Sequence, residues 1–190
     1  MFKKFVSLCL VIFLNACLGG YSPDSNFYRL PPISQPSKTF PNKLIVAVNR
    51  VGLPEYLDRP QMSMLDENSP KIEIAEFHRW GEDLSRMIQR KTTADLSKHL
   101  PNSKIIDAAE EVQNAALDVK IEIIRMDLIK QGQAILEARW YITNASGKVI
   151  DSGKFNQSKP IKARYDDYAA ASADLLSEMN LVIAQALSKL

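Results

Sequence analysis

The amino-acid sequence predicts a two-layer α/β (α+β) sandwich, in which two main helices cover one face of a mixed, mostly antiparallel sheet. Three observations support this prediction. Short β-branched runs recur through residues 43–158, turn sequences such as KQGQ and NASGK join several of them, and two stretches with helical spacing lie far apart in the chain. A sheet and an amphipathic helix each carry one apolar face, and two layers bury both. The runs amount to five to seven strands.

The first strands and the first helix are expected within residues 43–100. The run LIVAVNRV suits a buried strand, and QMSML and KIEIAEF flank the turn signal DENSP as the strands of a hairpin do. Ile72 and Ile74 alternate with polar residues, which predicts that one face of this strand, with both isoleucines, is buried. Helical spacing over residues 82–100 predicts a helix that Pro101 stops, with a core face of Leu84, Met87, Ile88, Thr92, Leu96 and Leu100.

The second half of the chain predicts a meander followed by a long helix. SKIIDA reads as a short strand, and AEEVQNA as a helical turn. The run ALDVKIEIIRMDLI changes its alternation at Ile124, as a bulge does, and QAILEARWYI and KVIDSGKFNQS supply two more strands. Asp166 and Asp167 are expected in the N-cap region of the last helix. Its apolar face is predicted to contain Leu175, Leu176, Met179, Val182, Ile183, Ala186, Leu187 and Leu190.

Residues 1–16 have the layout of a secretory signal peptide. Lys3 and Lys4 precede an apolar run of about ten residues, which is too short to cross a bilayer as a helix. Ala16 is the small residue that a cleavage site requires, so we expect an exported chain that begins at Cys17. The two leader lysines account for the formal charge of +2, and the neutral mature chain indicates no nucleic-acid partner.

The segment Leu-Asn-Ala-Cys that ends at Cys17 resembles a bacterial lipobox, although Asn15 departs from the residues usual there. The resemblance implies that Cys17 carries acyl chains such as palmitate and anchors a lipoprotein. An Asp after the cysteine commonly retains such proteins in the inner membrane, so Leu18 implies the periplasmic side of the outer membrane. A plain signal peptide with a coincidental cysteine is the alternative. Cys9, the only other cysteine, lies in the leader and leaves no disulfide.

Residues 17–42 contain this cysteine and a proline-rich stretch that predicts an extended tether. Two arrangements stay open. Either the tether holds the domain several tens of ångströms from the bilayer, or Phe27, Tyr28 and Leu30 dock on the domain, because FYRL resembles a short strand. Residues 43–190 are predicted to form a single domain of ordinary size.

The sequence shows no grouping of residues of the kind that catalysis or metal binding needs, although carboxylates are plentiful and scattered along the chain. The mature chain lacks a serine elbow of the Gly-x-Ser-x-Gly type, a Walker loop and a glycine-rich dinucleotide motif. His78 and His99, its two histidines, lack the spacing of metal ligands, and His99 falls in the last turn of the first helix, where it can cap a carbonyl group. The sequence therefore predicts no enzyme, no cofactor and no metal site.

The segment EFHRW, which ends at Trp80, concentrates reactive residue types at the predicted junction between the hairpin and the helix. Phe77 and Trp80 are expected to cover the end of the sheet. His78 and Arg79 are expected to donate hydrogen bonds to carbonyls of the preceding loop or to Asp58. A structural lock, a partner-docking surface and a catalytic site are the three interpretations. Trp and Arg are enriched at interface hot spots, which supports the second.

Two motifs now resemble those of the ABC-type transport auxiliary lipoprotein family, which includes paraquat-inducible protein C. The family's Leu-Asp-Arg-Pro-Gln corresponds to residues 57–61 and its Glu-Phe-His-Arg-Trp to residues 76–80, while YDDYAAASADLLSEM opens the terminal helix. Gly81 departs from the alanine expected there. The resemblance and the residues together assign a docking or structural corner to Asp58, Arg59, Pro60, Phe77, His78, Arg79 and Trp80.

The resemblance implies a non-catalytic outer-membrane component of an MCE-type intermembrane lipid-transport system. Such a protein would dock the periplasmic MCE tube at the outer membrane and support membrane integrity. Its implied partners are an MCE-domain protein, the transported lipid and the outer membrane, and a homo-oligomeric ring is a hypothesis that follows from the symmetry of MCE assemblies. The alternative is a stand-alone periplasmic lipid- or ligand-binding lipoprotein, which predicts a closed apolar cavity.

Overall fold

The computed structural model describes residues 23–108 and 115–190, and this part of the chain forms eight strands and two long helices. That is one strand more than the upper sequence estimate. The predicted leader, Cys17 and all but the last residue of the predicted turn AEEVQNA lie outside the described residues. In chain order the elements are β1 (Asn26–Tyr28), β2 (Ile45–Val48), β3 (Gln61–Leu65), β4 (Ile72–Trp80), α1 (Leu84–His99), β5 (Lys104–Asp107), β6 (Leu117–Ile129), β7 (Gln133–Asn144), β8 (Val149–Pro160) and α2 (Tyr165–Leu187).

The sheet is organised around β6, its 13-residue strand. β7 pairs antiparallel with β6 along one whole edge, and β8 pairs with β7. The other edge of β6 is shared, because β2 pairs in parallel with residues 117–119 and β3 with residues 128 and 129. Between them, Gly52 forms a parallel bridge to Glu122. β5 extends β2, whereas β4 and then β1 extend β3, which gives the mixed sheet of the predicted two-layer fold.

The last three strands form the predicted meander. A register shift between Ile123 and Arg125 confirms the bulge expected at Ile124. Gly132 and Gly147 stand in the two turns with φ angles of 87° and 79°, which residues with a side chain rarely adopt. One face of β7 is buried, namely Ala134, Leu136, Ala138, Trp140 and Ile142.

Helix α1 matches its prediction closely. All six residues of its predicted core face are buried. Asp83 caps its N-terminus by accepting a hydrogen bond from the Arg86 N–H at 2.9 Å, and the helix ends at His99, two residues before Pro101.

Helix α2 differs from its prediction at both ends. Asp166 and Asp167 lie in the first turn, where they complement the helix dipole, while Arg164 is the cap residue and makes no side-chain capping bond. The predicted apolar face is buried apart from Val182 and Leu190, which are 37% and 49% exposed. Leu190 follows the end of the helix, so the helical spacing no longer places it on that face.

The outer part of β4 also differs from the prediction. β3 and β4 pair antiparallel, which confirms the hairpin, but Ile72 and Ile74 are 38% and 42% exposed, so the expectation that both are buried is wrong. The pairing of the two strands is irregular. Ile74 pairs with Ser63 and Arg79 with Gln61, so a separation of five residues along β4 corresponds to only two residues along β3. Alternation predicts that two side chains share a face but does not show whether anything covers that face.

The N-terminal segment lies along the domain in the described residues 23–42. Leu30 and Phe40 are buried, Tyr28 is half-buried and Phe27 is 67% exposed, so the docked arrangement is seen for Tyr28 and Leu30 but not for Phe27. Hydrogen bonds fasten the segment to α1. The Phe40 N–H, for example, donates to the His99 carbonyl at 2.7 Å.

Replacing Gly153 with alanine is expected to destabilise the fold by about 1–3 kcal/mol, the usual range for overpacking. The Trp140 indole lies across Gly153 on the neighbouring strand, and an added methyl carbon would come within 2.6 Å of its Cε2 atom. The free energy of unfolding from urea titration measures the effect. Gly52→Ala is the matched control, because its methyl group would meet nothing closer than 3.7 Å. Equal stability of the two variants would contradict this packing.

Candidate functional site

The predicted corner joins three segments of the chain through backbone hydrogen bonds. The Trp80 N–H donates to the Pro60 carbonyl at 2.7 Å, which ties the end of β4 to the loop before β3. The Gly81 N–H donates to the Tyr28 carbonyl at 2.7 Å, which ties the same point to β1. A methyl group at Gly81 would lie 3.2 Å from that carbonyl oxygen, so the glycine suits the close approach of β1. The corner is therefore a fixed junction.

Trp80 belongs to the core side of this junction. Its side chain is 3% exposed, and its ring lies 5.9 Å from the ring of Tyr168 in α2. Tyr168 is itself buried and donates a hydrogen bond to the Met126 carbonyl of β6 at 2.6 Å. Trp80 thus connects the corner to α2 and to the central strand.

His78 lies between two tyrosine rings at the half-buried edge of the corner. Its ring is stacked on Tyr165 at 4.2 Å and on Tyr28 at 5.8 Å between centroids, and its Nδ1 atom is hydrogen-bonded to the Tyr28 hydroxyl at 2.8 Å. Burial and the nearby Asp166 carboxylate raise the pKa of Tyr28 to about 12. The predicted hydrogen bond from His78 to a loop carbonyl or to Asp58 is not formed; the histidine instead locks β1 to the start of α2.

Arg79 and Asp58 are not brought together. The Arg79 Nε–H donates to the Glu76 carbonyl at 3.2 Å, within its own strand, and the ion pair or hydrogen bond expected with Asp58 is not present. Asp58, Arg59 and Pro60 are exposed, whereas Phe77 and Arg79 are half-buried. The loop side of the corner therefore presents charged groups to solvent.

A buried carboxylate, which the sequence analysis missed, holds the loop from beneath. Asp127 of β6 is fully buried and accepts hydrogen bonds from the Tyr56 hydroxyl at 2.6 Å and from Arg125 Nε at 2.7 Å. Leu57, next in the loop, is 4% exposed. A charged residue within a buried, apolar strand needs such partners. The position of Asp127 in the apolar stretch RMDLI could therefore have indicated a buried carboxylate with hydrogen-bond donors around it. Residues 54–60 thus form a short loop with an anchored base and an exposed tip.

A buried ion pair within α1, which the sequence analysis also missed, is hydrogen-bonded to α2 and to the N-terminal segment. Lys91 Nζ lies 3.1 Å from Asp95 Oδ2, with side chains 1% and 0% exposed, and burial lowers the pKa of Lys91. The signal was their spacing, since both positions fall on the core-facing turns of α1. The remaining hydrogen-bond partners come from the N-terminal segment and from α2: the Pro31 carbonyl, the Ile33 N–H, the Ser177 hydroxyl and the Asn180 amide.

The other histidine has a structural environment. His99 is 2% exposed, and its Nδ1–H donates to the Lys38 carbonyl at 2.6 Å, which fastens the N-terminal segment to the end of α1. Within residues 23–108 and 115–190, no three His, Cys, Asp or Glu side chains stand close enough together to hold a metal ion. In the same part of the chain, neither helix is long and apolar enough to cross a membrane.

Two surface grooves border α2. One, of about 370 Å³, lies between α2 and the end of β8 and is lined by Lys159, Lys162, Asp167 and Asp174 among others. The other, of about 340 Å³, lies between α2 and the N-terminal segment, with Lys91 and Asp174 in its lining. Charged side chains line both grooves, which differ in this from the closed apolar cavity that a stand-alone lipid carrier predicts.

Comparison with known families identifies the chain as a member of one class. Residues 28–184 match the family of the ABC-type transport auxiliary lipoprotein component, and the protein belongs to this family. The match contains both corner motifs, all of α1 and all of α2 except its last three residues. Membership of this family shows that the protein is an auxiliary component of a transport system, and it implies that the protein is anchored to a membrane by lipid.

Solved structures share the fold. A protein described only as uncharacterized is similar with a TM-score of 0.73 and 17% identity, over 87% of this chain and 99% of that chain. A Xanthomonas campestris protein of the DUF330 family is similar with a TM-score of 0.70 and 13% identity, over 84% and 93% of the two chains. Comparison with curated proteins finds no significant match in sequence.

Replacing Trp80 with alanine is expected to reduce the free energy of unfolding by about 3–5 kcal/mol, since a large buried side chain is lost. Urea unfolding checks this value. Phe27→Ala is the control, because Phe27 is also an aromatic residue of the corner strands but is 67% exposed. A loss for Trp80→Ala no larger than that for Phe27→Ala would contradict the core position of Trp80.

The stability is expected to fall as the pH rises above 10, because Tyr28, Tyr56 and Tyr168 have raised pKa values in the folded protein, mainly through burial. Above pH 10 the folded state binds more protons at these tyrosines than the unfolded state does. Their stabilisation is therefore complete below the unfolded pKa of 10.0 and is lost as the pH rises through the folded values. Lys91 acts in the opposite sense as the pH approaches 10.5, since its pKa is lowered.

Urea unfolding at a series of pH values tests this dependence. Tyr56→Phe should remove one contributor and flatten the alkaline decline, and at neutral pH it should cost about 1–3 kcal/mol because Asp127 loses a buried partner. Tyr141→Phe is the control, since its hydroxyl forms no hydrogen bond with the described residues. Identical pH profiles for wild type and Tyr56→Phe would rule out this role of Tyr56.

Proposed function

We propose that the protein is a non-catalytic outer-membrane lipoprotein of an MCE-type intermembrane lipid-transport system. In this role it docks the periplasmic MCE tube at the outer membrane and supports membrane integrity. The match of residues 28–184 to the transport auxiliary lipoprotein family carries the proposal, because it extends over nearly the whole described chain. The MCE partner, the outer membrane and the absence of catalysis are parts of the proposal.

The anchor in this proposal is acylated Cys17. The leader, the lipobox-like segment and the family all support it. Eight residues separate Cys17 from β1, which span at most about 30 Å when fully extended. The domain would therefore lie close to the bilayer that holds the acyl chains.

The docking surface in this proposal is the tip of the 54–60 loop with the adjacent His78 edge. The loop base is fixed by Tyr56 on Asp127 and by Pro60 on Trp80, so the exposed Asp58 and Arg59 lose little conformational freedom on binding. Pre-organised surfaces bind more tightly because less entropy is lost, and exposed Arg and Tyr are frequent anchors of protein interfaces. These are the properties expected of a docking corner, and they require no catalytic group.

A ring of several copies would match a rotationally symmetric MCE tube. Each copy would then contribute one corner to a circular docking surface. The sedimentation velocity of the acylated protein in detergent measures the oligomeric state, and a monomer at all concentrations would exclude the ring while leaving the docking role intact.

Cys17→Ser is expected to abolish acylation and membrane retention. Growth with an alkyne analogue of palmitate should label the wild type and not the variant, and the wild type should fractionate with the outer membrane. Leu18→Asp is the informative companion, because it should keep the label and move the protein to the inner membrane. An unlabelled wild type would contradict the anchor, and a labelled wild type in the inner membrane would contradict the outer-membrane location.

A photo-crosslinking amino acid at Arg59 is expected to capture the MCE-domain protein in living cells. Asp58 and His78 should give the same product in lower or equal yield, because they border the same corner. Ser152 in β8 is the control, since it is exposed but on the far edge of the sheet. Capture from Ser152 and from none of the three corner positions would contradict the docking surface.

A further inference from the structure

Three of the exposed apolar side chains lie on two neighbouring strands at one edge of the sheet. Phe27 in β1 is 67% exposed, and Ile72 and Ile74 in β4 are 38% and 42% exposed. Phe77 of β4 is half-buried beside them. We call Phe27, Ile72, Ile74 and Phe77 the apolar strip.

The register places the apolar strip on one face of the sheet. Phe27 is paired with Arg79, and Phe77 precedes Arg79 by two residues, so these three side chains point to the same side. Arg79 is paired with Gln61 and Ile74 with Ser63, which are two residues apart on β3. Ile72, two residues before Ile74, has the same direction. The strip therefore runs along β4 on a single face.

This face is the one opposite the helices. Trp80 and His78, which alternate with Arg79, contact Tyr168 and Tyr165 of α2. Neighbouring strands are covered on the strip's side, since Asp127 lies under Tyr56 and Ser63 is 2% exposed. The cover ends at β3, and Ile74 beside Ser63 is exposed. Isolated exposed apolar residues are ordinary, but three on adjoining strands of one face indicate a surface that contacts something.

The chain path brings this face to the proposed membrane anchor. β1 runs parallel to β4, so its first residue, Asn26, lies at the end of β1 that faces Ile74. Phe27 is ten residues after Cys17, a distance of at most about 33 Å in extended chain. A tether this short gives the strip a high effective concentration at the bilayer, so even a weak affinity for lipid is sufficient to orient the domain.

The charges around the strip suit a lipid surface. Arg79, on the same face and beside Phe27, forms no ion pair with another described residue. Glu73 points to the opposite side from Ile72 and Ile74 and is paired there with Lys130 at 2.5 Å. Aromatic and aliphatic side chains beside an unpaired arginine are the combination that interfacial segments present to headgroups and the upper acyl region.

We propose that the apolar strip rests on the outer-membrane lipid surface and fixes the orientation of the domain there, with Phe27 inserted at the interface and Arg79 at the phosphate level. This inference depends on the proposed acyl anchor at Cys17. The 54–60 loop meets β4 at its Trp80 end, beside Phe27 and Arg79, so a partner that docks on the loop would do so next to the lipid surface. The strip's occupant is thus lipid, and contact with a protein is the competing outcome that the experiment distinguishes.

The test uses the full acylated protein in vesicles of phosphatidylethanolamine and phosphatidylglycerol. The mature chain has no cysteine other than Cys17, whose thiol is blocked by acylation, so Phe27→Cys and Ile74→Cys can each carry a single bimane label. Val149→Cys is the matched control, an apolar residue of β8 that is 51% exposed. Quenching by lipids with a nitroxide on the upper acyl chain is expected to be severalfold stronger at positions 27 and 74 than at 149.

The outcomes separate this inference from the proposed function. A wild type that does not float with vesicles contradicts the anchor itself. Flotation with equal quenching at positions 27, 74 and 149 would overturn the lipid contact of the strip and leave the anchor intact. The same conclusion would follow if a water-soluble thiol reagent modified Phe27→Cys on vesicles and was blocked only after the MCE-domain protein was added, because the strip would then contact protein. A double variant, Ile72→Ser and Ile74→Ser, made in the protein labelled at position 27, should show weaker quenching of that label and unchanged flotation. Unchanged quenching in this double variant would also contradict the lipid contact of the strip.

Discussion

The structure depends on one constraint, which is that the outer edge of β6 is shared by two separate groups of strands. β2 occupies the start of this edge and β3 its end, and the single bridge at Gly52 marks the boundary between them. The chain between the two groups leaves this edge after Gly52 and returns to it in β3, and residues 54–60 form the loop between them. Asp127 of β6 accepts a hydrogen bond from Tyr56 and so fixes the loop. The exposed loop tip is a result of how the sheet divides.

The two buried charged clusters perform similar tasks on opposite faces of the sheet. Asp127 and its partners hold the loop to the helix-free face, whereas Lys91 and Asp95 hold the N-terminal segment and α2 to α1 on the other. Each cluster satisfies a buried carboxylate, because the desolvation of a buried charge must be offset by partners that bind it. Both clusters use side chains to fasten irregular segments that no strand pairing could hold.

The sequence predicts the elements well and their surroundings less well. Period and turn signals locate the meander, the bulge at Ile124 and the core face of α1, because these depend on contacts within one or two neighbouring elements. The exposure of Ile72 and Ile74 could not be predicted, since it depends on the irregular register with β3 and on where the covering loop ends. Arg79 donates to the Glu76 carbonyl of its own strand and not to Asp58. The ring of His78 is stacked on tyrosines 50 and 87 positions away in the chain. Such contacts follow from topology alone.

The docked N-terminal segment has a mechanical consequence. A force on the proposed acyl anchor would first load the three-residue strand β1, whose hydrogen bonds with β4 run across the strand direction and would break together. Behind β1, the buried Leu30, the hydrogen bond from Lys91 to the Pro31 carbonyl and that from the Ile33 N–H to Asp95 form a second point of resistance. Load is thus transferred to α1 and through it to the whole helical layer. The anchor pulls on the body of the domain and not on a loose end.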